Sequence, residues 1–172
     1  MPARKLVAAG AQLEALRVEV CGTAAARRKA PSTRVLRQWV QAALGRRARG
    51  AELALRVVGA AESRRLNSHY RGKDQPTNVL SFPAPARLAK SNSLLRRPLG
   101  DLLICAALLV REARRARKPL RAHWAHLVVH GSLHLAGYDH QRVEDARRMT
   151  RREIAVLRRL GFANPYRRLA RP

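Results

Sequence analysis

Between residues 130 and 140 the chain reads HGSLHLAGYDH, and no other stretch constrains the fold as much. His130 and His134 are four apart, so on a helix their rings leave the same face one turn apart. Gly137 follows three residues later, where a helix ends most cheaply in a left-handed residue. The chain can then turn back and bring His140 toward the pair. Upstream, from Pro119 to Ala136, the apolar positions Trp124, Leu127, Val128, Gly131 and Leu135 keep helical spacing. The expectation is a long helix, a tight turn after it, and three imidazoles on one ion. Such nitrogens bind zinc at about 2.0–2.1 Å, and a set of three leaves a fourth position for water, as catalytic sites do.

The other elements follow from periodicity and capping. LEALRVEVCG (13–22) and AELALRVVGA (51–60) alternate apolar residues and predict strands. PSTRVLRQWVQAALG (31–45) predicts a helix capped by Ser32 or Thr33 and ended by Gly45. AESRRLNSHYRG predicts a short helix stopped by Gly72, and TNVLSFP (77–83) a brief strand closed by Pro83. Residues 84–98 hold Pro85 and Pro98 among polar residues and predict a long loop. GDLLIC (100–105) suits a central strand, LVREARRARK a helix ended by Pro119, and Val143 to Leu160 a last helix with Gly161 as its stop. The result is an α+β (mixed α/β) domain, with about four strands in a small mixed sheet and about five helices. One domain over residues 1–165 is expected, followed by a loose basic tail, 166–172.

Lys and Arg total 36 against 11 Asp and Glu, a formal net charge of +25. Only five of the basic residues are lysine, a bias that codon usage alone can produce. Codon usage does not by itself deplete acidic residues, so a surface that meets a polyanion is the reading adopted. Cys21 and Cys105 stand far apart among apolar neighbours and read as buried thiols of a reducing compartment. The N-terminal apolar stretch is cut short by Gln12 and Glu14, and the longest apolar run, LLICAALLV (102–110), is too short to span a bilayer. A soluble cytoplasmic protein with no membrane partner is expected.

HWAHLVVHGSLHLAGYDH (123–140), together with ELALRVVGAAESRRLNSHYRGKDQPTNVLSFP (52–83) and LGDLLIC (99–105), resembles the motifs of YbeY-type rRNA-maturation endoribonucleases. The resemblance covers roughly residues 50 to 165 and keeps the motif order. It implies a metal-dependent, single-strand-selective endoribonuclease acting in 16S rRNA 3′-end maturation and ribosome quality control. It also implies one Zn2+ on His130, His134 and His140, and rRNA of the small ribosomal subunit as partner, with ribosomal or assembly proteins as further partners. The family's functionally important arginine, in the segment YRGKD, falls on Arg71. After His140 the segment QRVEDARRMTRRE carries more arginine than the family pattern.

Gly131 stands where metzincin peptidases carry their catalytic glutamate. A peptidase is therefore disfavoured, and a non-catalytic ribosome-binding factor with a structural zinc is the other alternative. His123 and His126 are assigned orienting, packing or RNA-contacting roles. His126 lies about 12 Å along the helix from His134, too far to share an ion with His130 and His134. Asp139 either orients an imidazole or makes a turn contact. Tyr70, Phe82 and Tyr138 are candidates for base stacking, with core packing favoured for Phe82. His69 and Asp74 receive no role.

Overall fold

The computed structural model describes residues 15–89 and 96–166. Four strands, β1 (Arg17–Gly22), β2 (Ala51–Val58), β3 (Val79–Pro83) and β4 (Arg97–Cys105), form one sheet in the order β1-β2-β4-β3. β1, β2 and β4 are mutually parallel, and β3 pairs antiparallel with β4 at the edge. Five helices of ten residues or more pack around it: α2 (Thr33–Leu44), α3 (Ala60–Arg71), α5 (Ala106–Arg115), α6 (Leu120–Leu135) and α7 (Val143–Arg159). Single turns α1 (Ala24–Arg27) and α4 (Ala86–Ala89) complete the described helices, with a 3-10 turn at Gly45–Ala48. The mixed α+β architecture expected from the sequence is the one observed.

Capping residues act as their chemistry dictates. The Ser32 hydroxyl accepts from Val35 N at the start of α2, and Gly45 closes it. Gly72 ends α3 at φ 65°, a conformation that costs glycine little. β2 alternates as read, with Leu53, Leu55 and Val57 buried on one face.

Two expectations need correction. β4 begins at Arg97, inside the segment read as loop, and α4 forms a turn within the same segment. Pro98 is tolerated because β3 pairs with β4 only as far as Gly100, so a missing N–H at position 98 breaks no bond to β3. The strand read over 100–105 does end at Cys105, but the helix read from Leu109 opens directly after it at Ala106.

α6 is buried almost all round, as a helix at the centre of a domain must be. It lies on the sheet face formed by Leu53, Leu55, Leu102 and Ile104, flanked by α2 and α7. The opposite face, with Val58, Leu80, Leu103 and Cys105, is covered by Leu66 of α3 and Leu108 of α5. Cys105 is buried as expected, whereas Cys21 is exposed at the edge strand. No helix among the described residues is long and apolar enough to cross a membrane. The N-terminal stretch to Glu14 and the tail from Arg167 lie outside the described residues.

Candidate metal centre

The end of α6 builds the site. Gly137 takes φ 86°, its N–H bonds to His134 O (2.9 Å), and Tyr138 N–H reaches back to Leu133 O (3.0 Å). Arg47 donates to the Ala136 carbonyl and lies over the Tyr138 ring. The Asp139 carboxylate accepts from His140 N (2.7 Å), which gives it the turn contact. The chain thus reverses, and ring nitrogens of His130, His134 and His140 fall within 4.8 Å of one another.

Hydrogen bonds fix what those rings present. His130 donates from Nδ1 to Glu153 Oε1 (2.8 Å), and His134 donates from Nδ1 to Tyr138 O (3.0 Å). In the neutral form of each ring the proton then sits on Nδ1 and the lone pair on Nε2, and the two Nε2 atoms stand only 3.2 Å apart. Two facing lone pairs repel unless a cation lies between them. The spacing matches the roughly 3.3 Å separation of two nitrogens on a tetrahedral ion with bonds of about 2.0–2.1 Å. Burial, then the neighbouring His130 and His140, holds His134 below the ordinary histidine range and so favours the neutral, ligating ring. The three histidines therefore form a site that can hold a metal ion.

An open cleft of about 580 Å³ surrounds this point, lined by all three histidines and also by Arg71, Lys73, Ser81 and Asp139. Arg71 and the histidines are 59 or more positions apart in sequence, and the fold brings them to one cavity. Gly72 stops α3 directly after Arg71, which leaves its side chain exposed. Two buried polar groups of α3 hold the following loop. Ser63 Oγ donates to Thr77 O (2.7 Å) and accepts from Thr77 N (3.0 Å), and Asn67 Nδ2 donates to Gln75 O (2.7 Å). Arg64 clamps Asp74 with both arms, which gives Asp74 the role the sequence did not supply.

Of the other histidines, His123 bonds Glu112 (2.8 Å), whose carboxylate also accepts from Asn78. His126 is held by burial at a pKa of about 4, and its Nε2 lies 3.7 Å from Glu153 Oε1. His126 thus approaches His130 through a shared carboxylate, a link that spacing along the helix did not reveal. Glu153 itself was missed. Its signal was present: it falls on the buried stripe of α7 with Met149, Val156 and Leu157. Tyr166, in the segment read as loose, donates its hydroxyl to Glu153 Oε2. Among the stacking candidates, Tyr70 is 58% exposed and leans on Phe82, while Tyr138 is covered by Arg47 and Arg148.

A family model described as Endoribonuclease YbeY matches residues 23–161. The chain belongs to the endoribonuclease YbeY family. An Endoribonuclease YbeY of Alkalilimnicola ehrlichii is 52% identical over 155 residues, covering 89% of this chain and 92% of the relative. One of Methylococcus capsulatus is 51% identical over 139 residues, covering 81% and 89%. The solution structure of TM1509 from Thermotoga maritima shares the fold, with a TM-score of 0.54 and 20% identity over 88% of this chain and 99% of that one. Endoribonuclease function is thus supported at the level of the YbeY family, and the histidine cluster and Arg71 lie within the matched residues.

Proposed function

We propose that this chain hydrolyses phosphodiester bonds of single-stranded RNA at one zinc ion held by His130, His134 and His140. The observation that carries the reading is the convergence of two Nε2 atoms 3.2 Å apart and a third imidazole in a cleft that also holds Arg71. Zinc in such a ligand set supplies positive charge and water acidified to a pKa of about 7, so hydroxide exists near neutral pH without an adjacent glutamate.

The chain's own groups do the rest. Glu153 and the Tyr138 carbonyl hold two imidazoles in the ligating tautomer. Arg71 carries a permanent, planar charge suited to the non-bridging phosphoryl oxygens, with Lys73 beside it on the same wall. Selectivity for single strands is supported by the cleft's position along the outer edge of β3, which pairs with no further strand among the described residues. Asn78 O accepts from Cys105 N and Ala84 N donates to Leu99 O, so even-numbered residues bond to β4. Val79 and Ser81 therefore turn their backbone groups outward, where unpaired base edges can bond to them. An rRNA substrate in the small subunit, in 16S 3′-end maturation and quality control, fits the family and the +25 charge.

The test is cleavage of unstructured RNA, duplex RNA and casein, each with and without chelator. Chelator-sensitive cleavage of unstructured RNA alone is expected; cleavage of casein with RNA left intact would overturn the reading. Arg71→Ala is expected to lower kcat/KM for RNA about 10²- to 10³-fold, the loss typical of one transition-state charge contact. Its melting temperature is expected to stay within about 1 °C of the parent, since Arg71 is exposed. Zinc retention should also extend into mild acid. Protons and metal compete for the same Nε2, and the depressed pKa of His134 keeps that ring neutral below the ordinary value of 6.5. Zinc content measured after dialysis at stepped pH is expected to hold at pH 6 and fall at lower pH.

A further inference from the structure

Glu153 is 1% exposed, which is unusual for a carboxylate. A buried carboxylate without strong partners is costly, and a hydrophobic residue would fit the apolar stripe between Met149 and Val156 better. Glu153 keeps two donors, His130 Nδ1 on Oε1 and the Tyr166 hydroxyl on Oε2. A carboxylate oxygen 2.8 Å from His130 Nδ1 is placed to accept from it, and that contact dictates which nitrogen of the neutral ring holds the proton.

From these contacts the geometry assigns Glu153 as the positioning residue of the metal centre: it locks His130 in the Nδ1–H tautomer and aims Nε2 at the ion. The inference rests on the zinc reading above. Tyr166 completes the arrangement. It crosses from the segment after α7, stands edge-on to His126 with ring centroids 5.5 Å apart, and occupies the second carboxylate oxygen. The segment is pinned by Lys118, whose Nζ donates to Pro165 O (2.8 Å). The protein thus supports His130 from α7 and from the chain beyond it, while His134 is supported from the turn that carries His140.

The same atoms admit another use. Ligand atoms of His126, His130 and Glu153 also lie within 4.8 Å of one another. A second ion there would require His130 to lose its Nδ1 proton and bridge two metals, and would take the carboxylate oxygen that now accepts that proton. The hydrogen-bonded arrangement needs neither, so the positioning role is the one adopted.

Zinc affinity of the whole protein, measured by competition with a chromophoric chelator, tests it alongside melting of the metal-free forms. Glu153→Gln is expected to weaken zinc binding about 10- to 100-fold, the usual effect of losing a carboxylate behind a ligating imidazole, with one zinc per chain in the parent. A lower melting temperature with unchanged affinity would mean that Glu153 only supports the fold, and would overturn the proposal. Two zinc equivalents in the parent, falling to one in His126→Leu, would overturn it as well. His134→Ala separates the two levels. Zinc binding unaffected by His134→Ala sinks the metal site itself, whereas loss there with no change in Glu153→Gln sinks only the role of Glu153. Should Glu153→Gln fail to fold, the nitrogen NMR spectrum of the metal-free parent decides. A His130 ring protonated on Nδ1 supports the assignment, and one protonated on Nε2 contradicts it.

Discussion

His134→Ala is expected to abolish zinc binding and to lower RNA cleavage at least about a thousandfold, with the fold retained. His134 is the central member of the cluster, with ring centroids 4.7 Å from both His130 and His140. Removing it deletes one of the three proposed ligands and leaves His130 and His140 without the ring that joins them. Metal charge at a reacting phosphate contributes several kcal/mol, and about 4 kcal/mol corresponds to a thousandfold in rate. The side chain is only half-buried, so the metal-free variant is expected to melt close to the metal-free parent. The zinc-loaded parent is expected to melt higher, because bound metal stabilises the folded state by mass action. Calorimetry with and without zinc, beside an RNA cleavage assay, checks each part. Cleavage within a few-fold of the parent would show that the reaction does not use this site.

Gly131→Ala is expected to destabilise the protein by about 1–3 kcal/mol, the range for overpacking a filled core. A Cβ at Gly131 would stand 2.2 Å from Leu102 Cδ1 and 3.1 Å from Ser81 Oγ, and Leu102 is fully buried. Alanine's better helix propensity returns at most about 1 kcal/mol. For a chain of this size the melting temperature falls by about 2–4 °C per kcal/mol. Leu102→Val, which removes the Cδ1 atom, is expected to restore part of the loss in the Gly131→Ala background, and a thermal melt of the double variant reads the coupling. A full-length glutamate at position 131 would be driven into the sheet, unpaired, and is expected to prevent folding. The glycine where metzincin peptidases hold their base is therefore a contact point between α6 and β4. The residue cannot be turned into a base by substitution.

The sequence exposed the parts of this site that are local. His130 and His134 share a helix face, Gly137 terminates that helix, and the Pro119 start and Gly72 stop are where the spacing put them. β2 and the last helix were equally plain, because one face of each is apolar at the right period. What escaped was held by tertiary contacts. Glu153 lies 23 positions from His130, so nothing in the HGSLHLAGYDH segment points to it. Ser63 and Asn67 look like ordinary polar helix residues until the loop they fasten is folded over them. The early start of β4 depended on where β3 ends, since Pro98 is acceptable only beyond that point. Helical spacing put Gly131 on the buried face, but its close approach to Leu102 of β4 depends on how the helix sits on the sheet.

The most direct test of the account is elemental analysis of the purified protein, coupled to cleavage of an unstructured RNA before chelation, after chelation, and after zinc is returned. The account predicts one zinc per chain, loss of cleavage when the metal is removed, and recovery when it is restored. Full cleavage by protein proven free of metal would contradict it.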